Sequence, residues 1–242
     1  PIAVMMFFVM VVQIFSLAMM PSISASDIRI FEDPESTANP FSYILLVLGF
    51  TLFILLAIRM KKTWVVGSVV LLAVAMSVYY VLSAYLAPIF ALVLSVFTLL
   101  LLHFYPEWYV IDLVGLLVCA GVSTLFGLSM APLPVLLLLV VLAVYDAISV
   151  YKTRHMMTLA EGAIDVKAPL LFIVPLKGGY SFRKEGIGSS KDRGAYLLGL
   201  GDAVIPTVMV ISANWFLVAP QYNLAGIGIN VPALGAMLGT YL

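Results

Sequence analysis

Charge is what this chain has least of. Only 10% of its 242 residues are charged, and the 12 basic and 12 acidic side chains cancel. A soluble domain carries about 25% charged residues. With no basic excess there is no electrostatic footprint for nucleic acid, and that class is set aside. Cysteine is nearly absent. Cys119 is the single one, inside an apolar run, so neither an intramolecular disulfide nor a cysteine-rich metal cluster can form. It reads as a small hydrophobe in a helix interface. Histidine is almost as rare. Neither His103 nor His155 sits beside a suitable glutamate, which removes the H-E-x-x-H zinc helix. His103 stands at a helix end and Ser129 in a short break, so a serine nucleophile with a histidine inside a helix bundle is not available either. No metal and no cofactor are expected.

What is present is hydrocarbon. Hydrophobic residues make up 64% of the chain, against about 45–50% in soluble domains. A spanning helix needs about 20 apolar residues. Runs of that kind cover 2–20, 42–59, 64–82, 86–104, 108–128, 133–151, 195–219 and 226–242. The fold class is all-α, a polytopic transmembrane helix bundle in a lipid bilayer. It falls into an N-terminal part (1–151), a hydrophilic loop (152–194) and a C-terminal part (195–242). A signal peptide over 2–20 is disfavoured, because no basic residue precedes the run. Pro1 is not a natural start and the last run reaches Leu242 without a polar exit, so further residues are expected at the ends.

Basic residues set orientation. Eight of the twelve lie in the 152–193 loop, and Arg59, Lys61 and Lys62 lie between the second and third runs. With eight helices, the amino terminus, that turn and the long loop all fall on the cytoplasmic side. The loop's second half is glycine-rich and flexible in composition. Ahead of it, Leu170, Leu171, Phe172, Ile173 and Val174 sit between two prolines. They are too few to span and rich in strand formers. Two readings stay open: a membrane-surface or re-entrant segment, or a strand with a free edge able to pair with an extended peptide.

Three aspartates interrupt the apolar runs with no basic residue nearby: Asp112, Asp146 and Asp202. A charge at mid-bilayer costs several kcal/mol or more, so such a residue is a functional candidate by default. Asp146 precedes Lys152 by six residues, and Asp202 follows Gly194 by eight. As helix, these are depths of roughly 9 and 12 Å from the same loop. Antiparallel neighbours at that depth can bring the carboxylates together. Two carboxylates that close share one proton, which is the state used by aspartic proteases. The ionised partner accepts a proton from an attacking water, and the protonated one donates to the peptide carbonyl. Gly199 and Gly201 flank Leu200 before Asp202 and admit a close backbone. Tyr145 either donates a hydrogen bond near the pair or is a packed aromatic. Asp112 reads as an interhelical hydrogen bond, with membership of the same layer as the alternative.

Val144-Tyr145-Asp146 and Gly199-Leu200-Gly201-Asp202 resemble the YD and GxGD motifs of the intramembrane aspartyl proteases, the family of presenilin and signal peptide peptidase. The order, the helices and the intervening loop match as well. The resemblance implies Asp146 and Asp202 as catalytic pair, Tyr145, Gly199 and Gly201 as active-site support, and a strand-forming segment that engages substrate. It implies transmembrane proteins or peptides as substrates, nine helices in the family's plan, and a presenilin-like orientation in a compact, stand-alone microbial homologue. Pro232-Ala233-Leu234 repeats the string of the family's third motif. Only 29 residues separate it from Asp202, which puts it in the eighth helix rather than the ninth, so it is read as a chance match. The rival function is a secondary transporter with the paired aspartates as a proton or sodium site. The absence of an internal repeat argues against it. A hydrated cavity around the pair, open to the cytoplasmic side, is expected.

Overall fold

The computed structural model describes residues 2–26, 28–60, 62–148, 171–176, 179–185, 194–224 and 226–241. Within these, the bundle is built from α1 (Ile2–Ala25), α2 (Ala38–Arg59), α3 (Thr63–Ser83), α4 (Pro88–Phe104), α5 (Trp108–Ser129) and α6 (Pro132–Ile148). A strand β1 (Leu171–Pro175), a single helical turn (Phe182–Glu185) and a strand β2 (Ala195–Gly199) lead into α7 (Leu200–Phe216). A hairpin of β3 (Gln221–Leu224) and β4 (Ile227–Asn230) then leads into α8 (Val231–Gly239). Stretches of α1, α2, α3 and α5 are long and apolar enough to cross a membrane, and α4, α6 and α7 are apolar helices of 10–17 residues. Leu170, the residues from 149 to 169 and those from 186 to 193 lie outside the described residues.

Helix α5 is the axis of the bundle. It packs on α7, α1, α3 and β1, and most of its length is buried. Small residues make this possible, as expected where lipid gives no hydrophobic drive between helices and close packing must. A Cβ on Gly121 would collide with a Val81 methyl of α3. One on Gly127 would lie 2.5 Å from Ile211 of α7. Cys119 is fully buried in the same interface, its Sγ 3.7 Å from the Leu200 carbonyl.

Two of the expected spans begin differently. Residues 195–199 are strand rather than helix, and α7 starts only at Leu200. The apolar run is continuous in sequence, so composition gave no boundary. Strand pairing with β1 decides it. Likewise 227–230 pairs with 221–224, and the last helix begins at Val231. Asn230 fixes that corner. Its Nδ2 donates to the carbonyls of Ala213 and Leu217, each at 2.9 Å, and its Oδ1 caps α8 by accepting from the Ala233 amide. Ala233 and Leu234 are thus packed against the C-terminal end of α7, eleven residues along that helix from Asp202 to Ala213, or about 16 Å at helical rise. Ser129 is equally structural. It is fully buried, and its Oγ accepts the Ile30 amide at 2.8 Å.

Candidate active site

Asp146 lies in the last turn of the described α6, and Asp202 in the first turn of α7. Helices α6 and α7 are direct neighbours. The two carboxylates line one cavity of about 460 Å³ with Tyr145 and Gly201. The remaining wall is largely apolar and comes from α2, α6 and α7, with Val47, Leu142 and Pro206 among its residues. Tyr43, packed edge-on against Phe126 at 5.1 Å, brings α2 to this wall. Both aspartates are exposed to the cavity, and the Asp146 carboxylate acts electrostatically on Asp202. Asp146, Tyr145, Gly201 and Asp202, singled out from the sequence, all line this cavity. Tyr43 and Pro206 line it as well and lack any local signal in the sequence.

The depth argument needs correction. With 195–199 extended, Asp202 does not lie two turns down a helix from Gly194. It occupies the third position of α7, with Gly199 as N-cap. Its carboxylate lies close to the Gly199 backbone. An acidic side chain at the third helical position, beside the N-cap residue, is the placement found in a capping box. The Gly-Leu-Gly-Asp spacing is therefore the spacing of a helix start, and the N-cap residue borders the carboxylate. Gly199 has little room: a Cβ there would stand 3.0 Å from Asp202 Oδ2. Gly201 would meet nothing within 4 Å, since it faces the cavity. Leu200 turns the other way, toward Gly115 of α5. Pro206, four residues on, has no N–H to give the Asp202 carbonyl.

The strand expected from 170–174 is present as β1, but its open edge is not where the sequence put it. Phe172, Ile173 and Val174 are buried, with Phe172 stacked on Phe8 at 5.0 Å. One side of β1 pairs with β2 in the register Leu171↔Gly199 to Pro175↔Ala195. The Leu176 amide donates to the Gly194 carbonyl at 2.9 Å. Ladder bonds alternate along antiparallel strands, so Phe172↔Leu198 and Val174↔Tyr196 are the bonded pairs and Ile173↔Leu197 is not. The Ile173 amide accordingly points away from β2 and donates to Asp112 Oδ1 at 2.8 Å. Asp112 thus bonds a strand rather than a helix, and it is not among the residues lining the aspartate cavity. On β2 the outward groups are those of Leu197 and Gly199, and Gly199 is the one beside the Asp202 carboxylate. Among the described residues no three His, Cys, Asp or Glu side chains gather as a metal-binding set.

Residues 5–242 match the sequence pattern of the family described as signal-peptide peptidase, presenilin aspartyl protease. Two solved structures of a presenilin family intramembrane aspartate protease are similar. One, in space group C222, is 34% identical with a TM-score of 0.66, over 99% of this chain and 84% of that one. The other, in space group P2, is 32% identical with a TM-score of 0.63, over 100% of this chain and 96% of that one. No curated protein matches.

Proposed function

This chain belongs to the signal-peptide peptidase and presenilin family of intramembrane aspartyl proteases, and from that premise we propose that Asp146 and Asp202 are its catalytic pair. The observation that carries the assignment is their meeting from α6 and α7 in one cavity. The pair holds one proton. The ionised carboxylate takes a proton from water as the oxygen attacks the peptide carbonyl, and the protonated one gives its proton to the carbonyl oxygen. As the tetrahedral diol collapses, the now-protonated carboxyl gives its proton to the leaving nitrogen while the other carboxylate takes one from a diol hydroxyl, so the C–N bond breaks to a carboxylic acid and an amine and the pair again holds one proton. Tyr145 and Gly201 border the reacting group, and Gly199 supports Asp202 from behind. Transport of protons or sodium, the rival reading, gains no support from the family or its solved members.

A membrane helix shields its own peptide bonds, so the substrate segment must be extended to react. An extended segment needs hydrogen-bond partners where water is scarce. The outer edge of β2 supplies them. Leu197 has its N–H and C=O directed away from β1, two residues before Gly199, or about 7 Å of strand. A substrate strand added there runs directly to Asp202. The role the sequence gave to Leu171–Val174 is in this reading indirect, as the partner that holds β2. The mainly apolar cavity wall suits a transmembrane peptide. The basic loop between α6 and α7 faces the cytoplasm, as in presenilin, and the cavity opens to that side.

The test is cleavage of a single-span reporter by purified protein in liposomes, comparing the parent with Asp146→Asn and Asp202→Asn. Each variant should lose at least the 10²–10⁴-fold that a general acid or base contributes, while retaining the helical content of the parent. Cleavage at the parental rate by either variant refutes the assignment.

A further inference from the structure

Asp112 is the one aspartate inside an apolar helix that this mechanism leaves unused. It is 5% exposed. Oδ1 accepts the Ile173 amide at 2.8 Å, and Oδ2 has no hydrogen-bond partner among the described residues. A carboxyl half-satisfied in an apolar helix bundle is costly, and what the fold visibly gains from it is the placement of one strand. The N-cap residue of α5 and a glycine within it act on the same segment. Glu107, 9% exposed, accepts the Ser181 hydroxyl at 2.7 Å. Gly115 leaves room for the Phe172 ring, which would stand 3.1 Å from a Cβ there. The first half of α5 therefore holds β1 by a backbone bond, its following turn by a side-chain bond, and its ring by fit.

β1 in turn sets β2, residue for residue, from Leu171↔Gly199 to Pro175↔Ala195. Asp112 bonds Ile173, Ile173 faces Leu197, and Gly199 lies against the Asp202 carboxylate. We propose that Asp112 is a positioning residue for proteolysis: by holding the Ile173 amide it fixes the sheet whose outer edge at Leu197 lays the substrate in register with Asp202. The proposal rests on the β2-edge reading above. Without the anchor, β1 rides loosely on α5. The edge then binds substrate less tightly and delivers more than one bond to the carboxylates. The chemistry itself, performed by groups on α6 and α7, is little changed.

Asp112→Leu removes the acceptor at similar volume, whereas Asp112→Asn keeps an amide oxygen that can accept the same bond. In the purified full chain, Asp112→Leu should raise KM for the reporter about tenfold, the factor of ~1.4 kcal/mol for one buried hydrogen bond. Its kcat should change little, and mass spectrometry should show cleavage spread over neighbouring bonds. Asp112→Asn should restore a KM within about twofold of the parent and a single main cut. Unchanged KM and cut position in Asp112→Leu, or an Asp112→Asn as impaired as the leucine variant, overturns the proposal. Should Asp112→Leu not fold, Ile173→Pro deletes the donor from the side of β1 that is not in the ladder and must give the same KM and cut-site signature. Residue-resolved amide exchange on the parent gives an independent check: the Ile173 amide must exchange more slowly than the Leu197 amide, and equal rates refute the anchor. Exchange does not depend on catalysis, so a failure of the aspartate assignment would show separately in the Asp146→Asn and Asp202→Asn assays.

Discussion

Replacing Gly199 by alanine isolates the placement of one carboxylate from everything else in the fold. The backbone at Gly199 has φ −62° and ψ 136°, a region open to any residue, so alanine brings no conformational strain. Its backbone stays beside the Asp202 carboxylate. The new methyl, however, would stand 3.0 Å from Asp202 Oδ2, where ordinary contact begins at 3.4 Å. The carboxylate must retreat by at least the difference, 0.4 Å. A misplacement of about 1 Å costs on the order of 10²-fold in rate, so a retreat near half that predicts a loss of roughly five- to tenfold. The loss should fall on kcat, measured under saturating reporter in liposomes, with the unfolding temperature of the parent. Gly201→Ala is the control. Its methyl meets nothing within 4 Å and enters the cavity, so it should raise KM and leave kcat nearly intact. A Gly199→Ala enzyme with parental kcat would show that the cap does not set the reactive position of Asp202. A loss of kcat accompanied by unfolding would refute the reasoning as well, since the effect would then belong to the fold.

Other outcomes follow from the same geometry. Leu197→Pro deletes an amide that faces away from β1, so KM should rise with the fold intact, while Leu198→Pro deletes a ladder bond and should lower thermal stability. Gly127→Ala pushes a methyl to 2.5 Å from Ile211 and 3.0 Å from the Val208 carbonyl. Prising α5 from α7 in this way should cost about 1–3 kcal/mol of stability, read by thermal unfolding in detergent. Asn230→Leu strands the carbonyls of Ala213 and Leu217 and the amide of Ala233. It should destabilise by about 1–3 kcal/mol or more, with cleavage by the surviving folded fraction unaltered, because this corner lies at the far end of α7 from Asp202.

The sequence alone determined the solvent and the chemistry. Hydrocarbon runs of membrane length can only be satisfied as helices, and aspartates inside them are too costly to be incidental. Asp146 and Asp202 could therefore be singled out as the candidate pair without coordinates, as could the hydrophilic break between them. What the sequence could not contain was the partner of each backbone group. Ala195-Tyr196-Leu197-Leu198 is as apolar as the helix it precedes, and only pairing with β1 makes it a strand. That pairing moves the start of α7 to Leu200, turns Gly-Leu-Gly-Asp into a helix cap, and puts Asp202 in a first turn. The same holds for Asp112. Its place inside an apolar run marks it as needing a partner, but its bond to a strand amide 61 residues away is a tertiary fact. Local composition sets which groups need a partner, and the packing of distant segments sets which partner they find.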